Sequence, residues 1–493
     1  MEITKELWGK GLLLTIVVAL SLSGCGKINI DTAPVVDLDE MCLHFTALEN
    51  NSVILIVNHG GNKPDVKIKL DTGPWQQWDY SRKVLGKGQT IYMKGDNPNG
   101  FSKERAIFSQ IATTGKISSG GNVLSLLYEK DFNKRTTVPE YGLYNIFIGS
   151  YGLVSAPDLP ATELAKACYA GMFMGCKALE KAPELPSKEL ADSCYYAMFE
   201  GCISLKTVPV LPATRMKESC YSYMFWGCES ITTAPELPAT TLANSCYAGM
   251  FKDCVKIVKA PELPATTMFE NCYHGMFWHC SSLSHAPALP ATKLEKLCYS
   301  SMFGRCSSLK TPPRLPATQL ADGCYFFMFQ GSGIEEAPDL PATELESSCY
   351  STMFAYCSAL KKAPALPSAT LATSCYYNMF KDCTNLETAP VLPATTLVTG
   401  CYREMFNGCA SLKFIKMGAI DISAKNCLLN WTEGVASEGT FIKNEKAEWD
   451  IRGYDGIPFN WTVSEASEFF SCPLIRTGRS AHEEEPPFTN QKD

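Results

Sequence analysis

A cysteine followed by tyrosine returns along this chain at positions 168, 194, 220, 246, 272, 298, 324, 349, 375 and 401. The step is 26 residues, shortened once to 25 between Cys324 and Cys349. The unit reads "APxLPATxLxxxCYxxMFxxCxxL". A fixed period of this size restricts the chain to a stack of like units, a solenoid or a propeller. A four-stranded propeller blade needs about 40 residues, so the period favours a solenoid. Degraded copies stand at both ends: "IFIGS" (Ile146 to Ser150) before the first full unit, and "FIKMGAIDISAKNC", ending at Cys427, after the last. Atypical end units are what a stack needs to shield its open faces.

Within the first unit Leu164, Cys168, Met172 and Cys176 are spaced four apart, and Phe173 widens the stripe. This predicts one face of an amphipathic helix, with Thr162 as N-cap just after Pro160. The proline-bearing "APxLP" stretch is extended. Proline cannot donate a ladder hydrogen bond, so any parallel strand there is two or three residues long. On a helix the two cysteines of a unit rise about 12 Å apart, whereas a disulfide needs Cα atoms within roughly 7 Å. Equivalents on packed helices lie roughly 8 to 10 Å apart. Ser150 and Ser332 replace the second cysteine singly. The expectation is therefore a ladder of buried free thiols, among them Cys168, Cys176, Cys194, Cys202, Cys246 and Cys254. The opposing consideration is compartment: cysteines in an exported protein usually pair.

Export is the expectation from the N-terminus. Lys5 and Lys10 precede the apolar "GLLLTIVVALSL", which ends in "LSGC" at Cys25. That order resembles a bacterial lipoprotein signal, in which Cys25 is lipidated. The expected divisions are 1–25 signal peptide, 26–37 tether, 38–136 a β-rich, sandwich-like domain, 137–417 solenoid, 418–463 C-terminal cap and 464–493 disordered tail. The β-rich reading rests on short alternating runs such as "NSVILIV" and "DVKIKL", separated by "HGGNKP" and "DTGPW". The formal net charge of −7 gives no support to a nucleic-acid partner.

"LPATTLANSCYAGMFKDC" resembles the leucine-rich repeats of BspA-like surface lipoproteins from anaerobic Gram-negative bacteria. The resemblance covers about residues 138 to 463 and implies an α/β solenoid of leucine-rich-repeat type. It also implies an outer-membrane, cell-surface location and adhesion to a host or microbial surface protein or glycan, with the lipid anchor as the one membrane contact.

A solenoid binds along a stacked face. The variable positions around "AP" are candidates: Lys181, Glu184, Glu236, Lys259, Glu262, Arg314 and Asp339, a mixed polar row with an acidic bias. Such a row is equally a solvated face. Trp226 and Trp278 follow the Met-Phe pair two units apart, where they could stack on sugars or pack on the repeat surface. His274, His279 and His285 sit near Cys272 and Cys280 but at varying positions, without a metal-ligand motif. "DTG" (Asp71 to Gly73) looks like an aspartic-protease turn, but that chemistry needs a second carboxylate and no second copy exists. Glu335 and Glu336 occupy the one irregular unit. No catalytic residue, metal or cofactor is expected. The leading reading is a non-catalytic binding protein; an exported hydrolase and a purely structural surface component are the alternatives.

Overall fold

The computed structural model describes residues 37–469. Cys25, the expected signal peptide and tether up to residue 36, and the expected disordered tail from residue 470 on lie outside the described residues. Among the described residues, those from Asp39 onward form one compact unit.

Alternating sequence builds the first part. β1 (Leu43–Ala47) buries every second residue. It is followed by β2 (Ser52–Asn58), β3 (Lys67–Leu70), β4 (Gln76–Gln77), β5 (Lys83–Leu85), β6 (Thr90–Lys94), β7 (Ser109–Thr114) and β8 (Ile117–Gly120). After β9 (Thr137–Val138) comes β10 (Leu153–Ser155). One sheet has the order β10-β8-β1-β6-β3-β4 and the other β5-β2-β7. Since β10 pairs in parallel with β8, the first sheet runs straight into the repeats. There is no break at residue 137. Ser150, in a cysteine position, ties the first degraded coil to β7 by donating to the Ile111 carbonyl at 2.8 Å.

The repeats are a β-solenoid, and the expected α/β architecture is not present. Among the described residues there is no α-helix, only two 3-10 turns at Val123–Leu126 and Phe132–Lys134. The stripe that suggested a helix has a period of four, not 3.6. On a helix it would drift by about 40° per step and leave the core face within one unit. The chain instead makes overlapping turns. Ala167, Gly171 and Gly175 all have positive φ, and the same columns repeat at Ser193, Ala197 and Gly201 and onward. Positive φ at every fourth residue forbids an α-helix and is what the third position of a type II turn requires.

The hydrogen bonds account for this geometry. Cys168, Ala170, Met172, Met174 and Cys176 donate three residues back along the chain. The residues between them reach the next coil: Tyr169 to the Cys194 carbonyl at 3.0 Å, Gly171 to Tyr196 at 2.8 Å, Phe173 to Met198 at 2.9 Å, Gly175 to Glu200 at 2.7 Å. Local turns and coil-to-coil bonds alternate, so no donor along this wall is left over. Side chains follow in pairs. Cys168 with Tyr169, and Met172 with Phe173, point into the core; the pairs between them face out or lie under neighbours.

In-register stacking turns each core position into a ladder. Tyr169, Tyr195, Tyr221 and their successors to Tyr402 stack with ring centroids 5.8–6.0 Å apart. The phenylalanines from Phe147 to Phe406 stack at 5.4–5.8 Å. Burying the tyrosine, phenylalanine, methionine and leucine of one coil contributes roughly 6–12 kcal/mol before chain entropy is counted.

The "APxLP" stretch forms a second wall. Leu185 and Leu237 point in while Glu184 and Glu236 point out, the alternation of an extended chain. As the prolines require, pairing shrinks to single bridges such as Lys181 with Thr207 and Lys259 with His285. Further along the coil β11 (Glu163–Leu164) pairs with β9. Where the prolines vanish, full strands appear: β12 (Phe414–Met417), β13 (Thr440–Asn444) and β14 (Thr462–Ala466) form a parallel sheet. β14 and the buried Phe469 carry the cap past residue 463, into the segment expected to be disordered, because β14 pairs residue for residue with β13. Trp431 closes both aromatic ladders, 6.5 Å from Tyr402 and 5.9 Å from Phe406.

The irregular coil loses its residue at a corner. Gly333 follows Ser332 there and donates to the Cys306 carbonyl at 3.2 Å. A Cβ at this position would collide with the Ser307 carbonyl, so the shortened corner needs glycine.

Candidate functional site

The cysteines lie inside. Every cysteine from Cys168 to Cys427 is buried and free, and Cys42 is buried as well. The distance argument for unpaired thiols does not survive the change of fold: coils in a parallel ladder lie about 4.8 Å apart, close enough for a disulfide's Cα atoms. In-register Cβ atoms keep that same spacing, wider than the ~3.8 Å mean of a disulfide. The thiols of the second column are also engaged. Cys202 donates to the Phe173 carbonyl and Cys254 to that of Phe225, each at 3.1 Å. Burial pushes the thiols of Cys168 and Cys176 up to about 12 and those of Cys194, Cys202 and Cys246 well above their ordinary value. These groups are packing elements, inert as nucleophiles or metal ligands.

What the solenoid offers outward is its two walls. On the proline wall Lys181, Glu184, Glu236, Lys259, Glu262, Arg314 and Asp339 are all exposed. Glu236, Lys259 and Glu262 meet around a groove of about 380 Å³ floored by Leu237, Pro238, Ala260 and Pro261. Among the described residues no bridge joins Thr233 to Lys259, and the groove opens between those two coils. Lys181, Glu184, Arg314 and Asp339 share the wall but do not line the groove.

Trp226 and Trp278 lie on the other wall, among the outward pairs of the turns. The indole of Trp226 donates to Asp253 Oδ2 at 2.8 Å. The Lys252 ammonium sits 4.6 Å from its ring. Asp253 Oδ1 in turn holds His279 Nδ1 at 2.7 Å. Trp278 leans over Gly304, where a Cβ would strike its ring, and Arg305 lies 5.6 Å from it. Beside Trp278 is a notch of about 230 Å³ lined by Tyr223, Gly249, Lys252, His274, Gly275, Trp278 and Ser301. Burial, then the nearby Lys252 charge, holds the His274 imidazole below its ordinary value and hence neutral. Its Nδ1 is buried without a partner. The sequence reading singled out Trp278 and His274 but missed Lys252 and the two glycines. The available signal was two successive glycines, Gly249 and Gly275, in a column where Gly171 is the one other residue without a side chain.

A scan against protein families meets this repeat directly. The BspA type leucine rich repeat region matches residues 163–284, 196–318 and 326–430, in six copies, together just over half of the chain. The chain belongs to the BspA-type leucine-rich-repeat family. No curated protein and no solved structure gives a significant match. BspA-type repeats are those of surface or secreted interaction proteins and are generally not enzymatic.

The remaining candidates have local explanations in the BspA-type framework. Asp71 of "DTG" has φ 46° and accepts the Thr90 amide at 2.8 Å, a turn held by its own carboxylate. Glu335 bridges Lys310 at 3.3 Å and Lys361 at 3.6 Å, while Glu336 faces Lys362 at 3.8 Å. The two lysines beside Glu335, Lys310 first, lower its carboxyl, the opposite of what a catalytic acid needs. His279 is held by Asp253, and His285 shares a hydrogen bond with Ser284 at 2.9 Å. Among the described residues no three His, Cys, Asp or Glu side chains are grouped to hold a metal, and no helix is long and apolar enough to cross a membrane.

Proposed function

We propose that this chain is a lipid-anchored cell-surface protein whose BspA-type solenoid binds a protein or glycan partner without chemistry. One observation carries the reading: the side chains that vary between coils form two exposed walls, while the recurring cysteines, tyrosines and phenylalanines are sealed in the core. A stack of this kind holds its outward columns in fixed register, as a recognition surface requires. The lipoprotein half of the proposal rests on the "LSGC" sequence at Cys25.

The test is a binding screen of the purified protein against immobilised matrix proteins, mucins and glycans, run beside ester, peptide and glycoside hydrolase assays. Saturable binding without turnover is the expected result. Turnover without binding would replace the reading with a hydrolase, and self-association alone with a structural component. Labelling cells with a palmitate analogue tests the anchor: label is expected on the native chain and absent from Cys25→Ala.

A further inference from the structure

The notch on the turn wall has a shape and chemistry that its neighbours lack. Its column holds Tyr223, Gly249, Gly275 and Ser301 in four successive coils. Tyr223 leans forward into the space that Gly249 leaves, and a Cβ on Gly249 would strike its ring. At Gly275 nothing lies within 4 Å of a Cβ position, so the space there stays open. His274 stands on one side of the opening, Lys252 and Trp278 on the other, and Ser301 closes the far end. The result is a short pocket, closed at both ends, with aromatic rings on its walls and three polar groups at its edge. His274 is only half-buried, but its Nδ1 is sealed from solvent, so the imidazole meets a ligand through Nε2.

Ring walls with polar groups at the edge match one kind of ligand closely. A hexopyranose chair with equatorial hydroxyls carries a flat patch of axial C–H groups on its face and hydroxyls around its rim. The C–H patch is drawn to the negative face of an aromatic ring. The rim hydroxyls need donors and acceptors, which an ammonium, a neutral imidazole and a serine hydroxyl supply. A proline-rich peptide would ask for an open groove several residues long, and this pocket is closed after two coils. At about 230 Å³ it falls below the ~300 Å³ lower end of drug-sized pockets, which suits one ring of a longer chain.

We propose that this notch is a carbohydrate subsite that holds one hexopyranose ring of a glycan, its C–H face against Trp278 and Tyr223 and its hydroxyls toward Lys252, His274 and Ser301. The proposal rests on the reading of the solenoid as an interaction surface and names the ligand class for one of its walls. Half-buried aromatics continue along that wall at Trp226 and Phe327, so further rings of the glycan have places to lie.

The test is saturation-transfer NMR and tryptophan fluorescence on the intact protein. The probes are the methyl pyranosides of glucose, galactose, mannose and N-acetylglucosamine, with cellobiose as the longer ligand. Gly275→Asn is the decisive variant: asparagine tolerates positive φ, the backbone there has room for a Cβ, and the side chain fills the notch. The expected result is saturable transfer to axial ring protons for at least one pyranoside, with at least a tenfold loss of affinity in Gly275→Asn and a Tm lowered only slightly, since asparagine is among the residues that bear positive φ best. Trp278→Ala should lose the binding too. Absence of saturable binding to every pyranoside, or binding that Gly275→Asn leaves intact, would overturn the subsite. So would a proline-rich peptide that binds the native protein and is blocked by Gly275→Asn while the sugars are not. If sugars fail but immobilised matrix protein or mucin is still bound, only the subsite falls. If the intact protein binds no partner at all, the broader reading falls with it.

Discussion

At the residue scale the unusual demand is backbone conformation. Positive φ recurs at every fourth residue of the turn wall, and side chains as large as Leu297, Arg305, Phe327 and Tyr356 adopt it. Such a conformation costs a non-glycine residue roughly 1–2 kcal/mol. The coil-to-coil bond at the same residue holds it in place; Arg305, for example, donates to the Gln330 carbonyl at 2.6 Å. Arg305 is exposed and its side chain does little beyond facing Trp278. Arg305→Asn should therefore raise stability by about 0.5–1 kcal/mol, the relief of backbone strain outweighing a surface cation–π contact worth about 0.5 kcal/mol. Urea unfolding measures it, and an Asn variant less stable than the parent would show that the coil does not hold this φ. The sequence carried this signal in part. Glycine, serine and asparagine crowd the position before the Cys-Tyr pairs, as at Ser193, Ser219, Asn271, Gly323 and Gly400. Those are turn-forming residues and poor helix formers.

At the scale of the coil, hydrophobic spacing identified the right buried residues and the wrong element. Leu164, Cys168, Met172 and Cys176 do face inward or pack on the core. A stripe of four-residue period is shared by one helix face and by a run of turns, and within a single unit the two differ by about 40° per step. Only the positive φ column separates them. The proline wall was more legible because the physics is simpler: a residue without an N–H cannot join a ladder, and the bridges there are single. The cap was legible through its aromatics, although not its extent, since "TVSEA" becomes a strand only by pairing with "TFIKN". Trp431 is fully buried, closes both ladders and donates to the Gly456 carbonyl at 2.8 Å. Trp431→Ala should cost about 3–5 kcal/mol. In a stack where each coil touches only its neighbours, the loss should stay local. Hydrogen exchange should show residues 409–466 losing protection while the coils around Tyr221 keep theirs. Uniform loss would contradict the stacked description.

At the scale of the whole molecule, one core runs from Cys42 to Trp461 and carries a continuous column of titratable but neutral groups. Burial raises the thiols of Cys168 and Cys176 from 9.0 to about 12 and the stacked tyrosines well above 10.0. A group whose folded pKa is raised holds its proton more tightly in the native state. Its contribution is whole below the unfolded value and is lost as pH rises through the folded one. Stability should accordingly be level up to about pH 9 and fall steeply between about 9 and 12, cooperatively because every coil carries the same groups. Urea midpoints measured across that range check the sign; a midpoint that rises with pH would contradict it. The candidate site was the least legible level. Trp226, Trp278 and the Glu236–Lys259–Glu262 row can be picked from the repeat, but which of them share a pocket depends on coil register. An empty glycine column has no side chain to draw attention.

Neighbouring coils are held by packing and backbone bonds, with free thiols between them close to disulfide range. Site-resolved alkylation under non-reducing conditions, read by mass spectrometry before and after denaturation, tests it most directly. Cys168, Cys176 and their equivalents through Cys427 should be unlabelled in the native protein and all labelled once it is unfolded, and Tm should be the same with and without reductant. Disulfide-linked peptides between adjacent coils, with a Tm that drops on reduction, would contradict it.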